Sequence, residues 1–303
     1  MIKRRQIIFT PRNITLYFFL LPAVIYYAIF HYAPMYGALI AFQDYNPFAG
    51  MSLSPWVGFK HFADFFGGIY FFRLLRNTLL LSVYGLIFGF PMPIIFALLL
   101  NEVKAKKFRT AVQTISYMPH FISIVVLCGL IVQFLAPNTG LIAKFIQGIV
   151  GHPINVLELS SWFRPVYIGS GIWQGMGWGS IIYFAALTSI NPSLYEAADI
   201  DGASRIQKML HISLPGLLPT MVTLLILNMG NLLNVGFEKV MLLYRNSTYE
   251  TADVISTYVY RSGLIAQQYS FATAVGLFNS VVGLVLVLSA NYTARRVTSQ
   301  SLW

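Results

Sequence analysis

Six apolar runs constrain this chain more than any other feature of its sequence. They fall at about 14–42, 74–100, 110–134, 165–188, 216–243 and 270–291. About 20 apolar residues carry a helix across the ~30 Å hydrocarbon core of a bilayer. Each run meets that length, so the runs predict an all-α, polytopic membrane protein with six transmembrane helices. Composition points the same way. The 303 residues would allow two soluble domains by length, but 57% are hydrophobic and only 10% are charged, against roughly 25% charged in soluble domains. The mean hydropathy is +0.67. The basic start, with Lys3, Arg4, Arg5 and Arg12, does not read as a cleavable signal peptide, because the following apolar run is too long and holds no small-residue cleavage site.

Lys and Arg fix the orientation. An even number of spans puts both termini on one side. Placing the N-terminus, the 101–109 loop, the 189–215 loop and the C-terminus inside gathers twelve of the 20 Lys and Arg there. Lys104, Lys106, Lys107 and Arg109 crowd into one short stretch, whereas the outer cations are spread over longer segments. The positive-inside rule then predicts cytoplasmic termini. The net charge of +10 therefore reports topology and gives no reason to invoke nucleic acid. Outer Lys60, Lys144, Arg164, Arg245 and Arg261 suggest an acidic solute such as a uronate oligomer.

The loop between spans four and five stands out. It reads EAADIDGASRIQKMLHISLP from Glu196 to Pro215. Asn191 before Pro192 is a good helix start. Leu194, Ala197 and Ala198 share a face, and the small alanines permit close approach of another surface. Gly202 is free to take positive φ and turn the chain between two short helices. The second helix carries Ile206, Met209 and Leu210 as an apolar stripe beside Arg205 and Lys208, and Pro215 is expected to open the next span.

Glu196-Ala197-Ala198, three residues, Gly202, nine residues, then Ile212-Ser213-Leu214-Pro215 fills the pattern EAA-x3-G-x9-I-x-L-P. This resembles the EAA loop of ABC-importer permeases of the maltose-type carbohydrate uptake family. The resemblance extends from about Arg12 to Trp303. VGFKHFADFF with RLLRNTLLLS, the stretch NVGFEKVMLLYRNSTYETADVISTYVYRSGL, then YSFATAVGLFNSVVGLVLVL and the terminal SLW are similar to the LplB-like polysaccharide and oligosaccharide branch. It implies a type I ABC importer permease fold with cytoplasmic coupling helices between spans four and five. Residues 1–73 would form a basic segment, first span and external segment, 74–294 the permease core, and 295–303 a cytoplasmic tail. Glu196, Ala197, Ala198, Asp201, Gly202, Arg205, Leu214 and Pro215 would couple to an ATPase. The implied partners are a second related permease, two cytoplasmic ATPase subunits, an extracellular solute-binding protein, membrane lipid and a carbohydrate. This chain would bind no cofactor; ATP and Mg would belong to the ATPase. The implied location is a bacterial cell membrane, and the implied mechanism is alternating access.

Solute-pathway residues must come from the spans themselves. Asn228, Asn231, Asn234 and Glu238 fall on one helical face if span five is continuous. Amides there either line a wet path or hydrogen-bond between helices. Glu238 adjoins Lys239, which favours a local ion pair or an interfacial position. Span four, GSGIWQGMGWGSIIYFAAL, adds Trp173, Gln174, Trp178 and Tyr183, which could meet sugar rings or pack and anchor the helix. Its Gly169, Gly171, Gly175, Gly177 and Gly179 allow close packing or bending.

Nothing matches a nucleotide-binding loop, and His31, His61, His120, His152 and His211 lack metal-ligand spacing. Cys128 is the single cysteine, so no internal disulfide forms. No reaction centre supports an enzyme. A secondary carrier or channel without an ATPase remains the alternative, and it leaves the EAA pattern unexplained.

Overall fold

The computed structural model describes residues 11–230, 232–233 and 235–298. Four helices are long and apolar enough to cross a membrane: α1 (Thr15–Phe42), α2 (Phe71–Asn101), α7 (Arg205–Gly230) and α8 (Tyr269–Thr298). The expected third span is not one straight helix. It is two, α3 (Lys106–Phe121) and α4 (Ile124–Phe134), bent by 100°. Pro119 tightens the end of α3 into a 3₁₀ turn, and Ser123 caps α4 by accepting from the Val126 amide. Counted as one span, the pair brings the total to five. The remaining long helix, α5 (Ser160–Thr188), has 29 residues. It starts ahead of the expected 165, with Pro165 tolerated near its N-terminus.

α5 sits at the centre. It packs along the C-terminal half of α2 and against α3 and α7, while α8 packs on α7 and on the end of α1. Ile94, Ala97, Leu98, Tyr183, Leu187 and Leu217 form one core where α2, α5 and α7 meet. Two of the α5 glycines explain the close approach. A Cβ on Gly177 would lie 2.1 Å from the Ser116 carbonyl oxygen of α3, and one on Gly179 would lie 3.1 Å from Pro93 of α2. Gly169 and Gly175 have open space where a Cβ would go, so the glycine run is not one uniform packing stripe.

The expected fifth span, 216–243, ends early. Helix α7 stops at Gly230, and Phe237–Leu243 is a separate short helix. Asn228 and Glu238 therefore do not share one helix face. Lys239 is buried and pairs with no acid among the described residues. Its Nζ donates to the Tyr167 carbonyl at 2.7 Å and lies 4.7 Å from the centre of that ring.

Residues 244–269, the stretch between the last two apolar runs, fold into the bundle. Ala252, Asp253, Val254, Ile255 and Thr257 are almost completely buried. Asp253 accepts from Arg261 at 2.8 and 2.9 Å, from Thr257 at 2.8 Å and from Arg73 at 3.4 Å. Asn77 of α2 donates to the carbonyls of Glu250 and Asp253 at 2.9 Å each, and accepts from Arg164 of α5 at 3.0 Å. One buried carboxylate and one buried amide thus tie α2, α5 and this segment together. Two of the five outer cations, Arg164 and Arg261, are structural, which removes them from the argument for an acidic solute.

Asp253→Ala leaves Arg73 and Arg261 without their counter-charge. Their side chains keep 31% and 25% of their surface exposed, so the expected loss is about 2 kcal/mol, below the ~3–5 kcal/mol of a fully buried broken pair. A lowered thermal midpoint of the purified protein, with faster proteolysis within 246–266, checks this. Gly177→Leu drives a side chain into the α3 backbone and should cost about 1–3 kcal/mol or more. Gly175→Leu, with open space around it, should cost far less in the same assay.

Candidate functional site

The segment after α5 adopts the two-helix form that its sequence predicts. Helix α6 (Pro192–Ile200) starts with the Asn191 side chain accepting from the Ser193 amide at 3.1 Å and with Pro192 in the first turn. It closes at Gly202, whose φ is +75°. There the Ala203 amide bonds back to the Ala198 carbonyl at 2.9 Å, and a residue other than glycine would pay roughly 1–2 kcal/mol for that backbone. Ser204 then caps α7 in a reciprocal box: Gln207 donates its amide to the Ser204 hydroxyl, and the Ser204 amide donates to the Gln207 side chain at 2.7 Å.

The second helix does not stop before the span. It runs unbroken from Arg205 to Gly230, so Pro215 lies inside α7 and not in its first turn. A π-helical turn at Met209–Ser213 sits directly before it. The wider turn is the local answer to a proline that has no N–H and crowds the carbonyl four residues back.

Two contacts set this segment against the base of α7. The Tyr195 hydroxyl pairs with Ser213 at 2.9 Å, and Lys208 pairs with Asp199 across the Gly202 turn. Outside those contacts the segment is open. Glu196, Ala197, Asp201, Gly202, Arg205 and Pro215 are exposed, whereas Ala198 and Leu214 are half-buried. Leu194, Ile200, Ile206 and Leu210 are exposed apolar side chains on this polar stretch, Ile200 at 87%. Glu196 makes no hydrogen bond or ion pair to a described residue. The arrangement is a stiff two-helix knob with a free carboxylate and uncovered apolar side chains.

A second feature lies between the spans. A cleft of about 430 Å³ opens between α2, α5, α7 and the stretch after Gly230. Ser82, Tyr167, Tyr183 and Asn228 supply its polar lining; Gly85, Gly89, Phe90, Pro93 and Ile182 supply much of the rest. Asn228 and Tyr183 are thus brought to one space. Asn228 is exposed there, and its amide donates to the Leu224 carbonyl at 2.8 Å, which leaves its oxygen available. Asn231 and Asn234 lie outside the described residues.

The other span-four residues point elsewhere. Gln174 donates to the Ile122 carbonyl at 2.9 Å, at the break between α3 and α4. Trp178 stacks on His120 with ring centroids 4.6 Å apart and meets Phe121 edge-on. Trp173 lines an apolar groove on the far side of α5. These three secure or face the α3–α4 break and do not line the cleft. Sequence reading missed Tyr167 and Ser82, which do. Nothing in their spacing marks them; only the placement of Leu232, Val235 and Gly236 against α2 and α5 brings them into play.

Comparison with known proteins agrees with this geometry. Residues 89–299 match the family described as binding-protein-dependent transport system inner membrane component. Protein LplB of Bacillus subtilis (strain 168) is 45% identical over 96% of this chain and 92% of its own length. The polygalacturonan/rhamnogalacturonan transport system permease protein YteP of the same organism is 46% identical over 99% of this chain and 94% of its own. A chain in the crystal structure of a bacterial ABC transporter involved in import of the acidic polysaccharide alginate is 50% identical, with a TM-score of 0.88, covering 95% of this chain and 97% of that one. A chain in the crystal structure of a bacterial alginate ABC transporter in complex with an alginate pentasaccharide-bound periplasmic protein is 49% identical, with a TM-score of 0.89, covering 96% of this chain and 97% of that one. With the family matched over most of its length and relatives near half identical end to end, this chain belongs to the binding-protein-dependent transport system inner membrane components, the permease subunits of ABC importers.

Proposed function

We propose that this permease imports an acidic oligosaccharide, released from a uronate-rich polysaccharide, as one half of a two-permease pore driven by two cytoplasmic ATPases. The observation that carries the coupling half of the proposal is the 191–210 knob. Its exposed Glu196, its Gly202 turn at φ +75° and its uncovered Leu194, Ile200 and Ile206 suit a surface that another protein covers. The acidic substrate rests on the relatives, one named for polygalacturonan and rhamnogalacturonan and one for alginate, now that Arg164 and Arg261 are accounted for by the fold.

Six spans complete the reading. Helix α5 is the sixth: 29 residues extend roughly 44 Å, enough to cross. Its glycines and amides lower its hydropathy because its neighbours are protein more than lipid. Both termini and the knob then lie in the cytoplasm, with the basic 101–109 loop beside them. Solute passes from an external binding protein into the cleft lined by Tyr167, Tyr183 and Asn228. ATP and Mg act in the partner ATPase and move the knobs. The core 74–294 does the work of transport, and 1–73 and 295–303 flank it.

The test is a reconstituted complex with its ATPase and a binding protein loaded with acidic or neutral oligosaccharides. Turnover stimulated by the acid-loaded protein, and uptake of that sugar, is the expected result. Glu196→Lys or Gly202→Asp should cut stimulated turnover at least tenfold while the chain stays in the membrane. Normal uptake by both variants would overturn the coupling assignment. Equal uptake of neutral and acidic oligomers would overturn the substrate assignment alone.

A further inference from the structure

The cleft between α2, α5 and α7 holds more hydrogen-bonding capacity than the fold uses. Tyr183 borders it and is only 3% exposed. Its ring packs in the core where those three helices meet, yet its hydroxyl bonds to no described residue. A phenol buried so far ordinarily has a partner. The Tyr167 hydroxyl accepts from the Gly236 amide at 3.1 Å and keeps its own proton unspent. Asn228 gives its amide to the Leu224 carbonyl at 2.8 Å and keeps its oxygen. Ser82, by contrast, is spent on the Thr78 and Leu232 carbonyls. Two donors and one acceptor thus border a single space, and no charged side chain is among its described lining.

Helix α2 gives the same space a bare wall. It widens to a π turn at Gly85–Gly89, an uncommon form that recurs at functional sites. Both glycines line the cleft, and a Cβ on Gly89 would meet nothing within 4 Å. Pro93 has no N–H to offer the Gly89 carbonyl four residues back, so that carbonyl lacks its usual helical donor. The space of about 430 Å³ falls within the roughly 300–1,000 Å³ of sites that take small molecules.

We propose that this cleft is a subsite for one sugar ring of the passing chain, held through its hydroxyls, with Tyr183 as a hydrogen-bonding partner and Gly89 as the residue that sets the width. An apolar occupant would leave Tyr183, Tyr167 and Asn228 unmet. A carboxylate would find no counter-charge. Ring hydroxyls, which both donate and accept, match all three groups. The inference rests on the path through this cleft given above and not on the acidity of the solute.

The test uses the assembled transporter in vesicles, with its ATPase and a binding protein loaded with acidic or neutral oligosaccharide. Tyr183→Phe keeps the packed ring and removes only the hydroxyl. Uptake should fall roughly twofold to tenfold, the worth of one hydrogen bond, while the thermal midpoint holds or rises. A lowered midpoint would mean that the hydroxyl serves the fold, and it would overturn the role of Tyr183. Gly89→Ala, Gly89→Val and Gly89→Leu should lower uptake in order of side-chain size, by about tenfold or more for leucine. Gly175→Leu, with equal freedom on α5 and outside the cleft, should leave uptake unchanged. In a Cys128→Ser background, Gly89→Cys should react with a small water-soluble thiol reagent, and loaded binding protein should slow that reaction about threefold or more relative to empty binding protein. Undiminished uptake by Gly89→Leu, or a thiol at position 89 that loaded binding protein does not shield, overturns the subsite. The ratio of acidic to neutral uptake in the wild type judges the acidic substrate separately.

Discussion

A backbone inside hydrocarbon has no water to bond with, so every interruption of a helix must be satisfied by the protein itself. This chain interrupts its helices repeatedly, and the structure depends on how each break is closed. At the α3–α4 bend, Gln174 of α5 caps the Ile122 carbonyl. Where α7 ends, Ser82 of α2 donates to the Leu232 carbonyl, and the Tyr167 hydroxyl accepts from the Gly236 amide. Lys239 then closes on the Tyr167 carbonyl from the other side. Gln174, which the sequence offers as a possible part of a solute path, is one of the groups that make a broken helix tolerable.

The same constraint explains why α5 is the least apolar of the long helices and yet the most central. It must offer glycine to the α3 backbone at Gly177 and to Pro93 at Gly179, and it must offer amide and phenol groups to two breaks. Lipid-facing helices do neither job. One face of α5 looks on the cleft through Tyr167 and Tyr183, and another looks on the apolar groove through Gly169 and Trp173. A helix that faces a cleft with polar lining on one side and an apolar groove on the other cannot be uniformly hydrophobic. Asp253 and Asn77 do for the 246–266 segment what Tyr167 does for Gly236.

The parts of the fold legible in the sequence were those set by local physics. Apolar length located α1 and α2 to within a few residues, and the start of α8 to within one. Asn191-Pro192 and Gly202 located the two-helix 191–210 segment because caps and positive φ are properties of a few adjacent residues. What escaped depended on contacts far apart in the chain. Nothing near Gly230 announces that α7 ends there, and Asn228 and Glu238, which periodicity puts on one face, belong to separate helices. Nothing local announces the burial of Asp253, because its partners Arg73 and Asn77 lie some 180 residues earlier. Trp173, Gln174 and Trp178 had the right chemistry for a sugar, but only the packing of α5 shows which of its sides each one occupies.

If an ATPase drives this permease through the 191–210 knob, a probe placed on the knob must meet that ATPase. Ile200 is exposed at 87%, and Cys128, the single cysteine, is buried. An Ile200→Cys variant in a Cys128→Ser background therefore carries one accessible thiol at the knob. Cross-linking it in native membranes, with and without ATP, is the most direct measurement. The account predicts a covalent adduct with a cytoplasmic ATPase subunit, formed from the inner face and altered in yield by ATP. Labelling of that thiol by an impermeant reagent from the outer face, with no ATPase adduct, would contradict it.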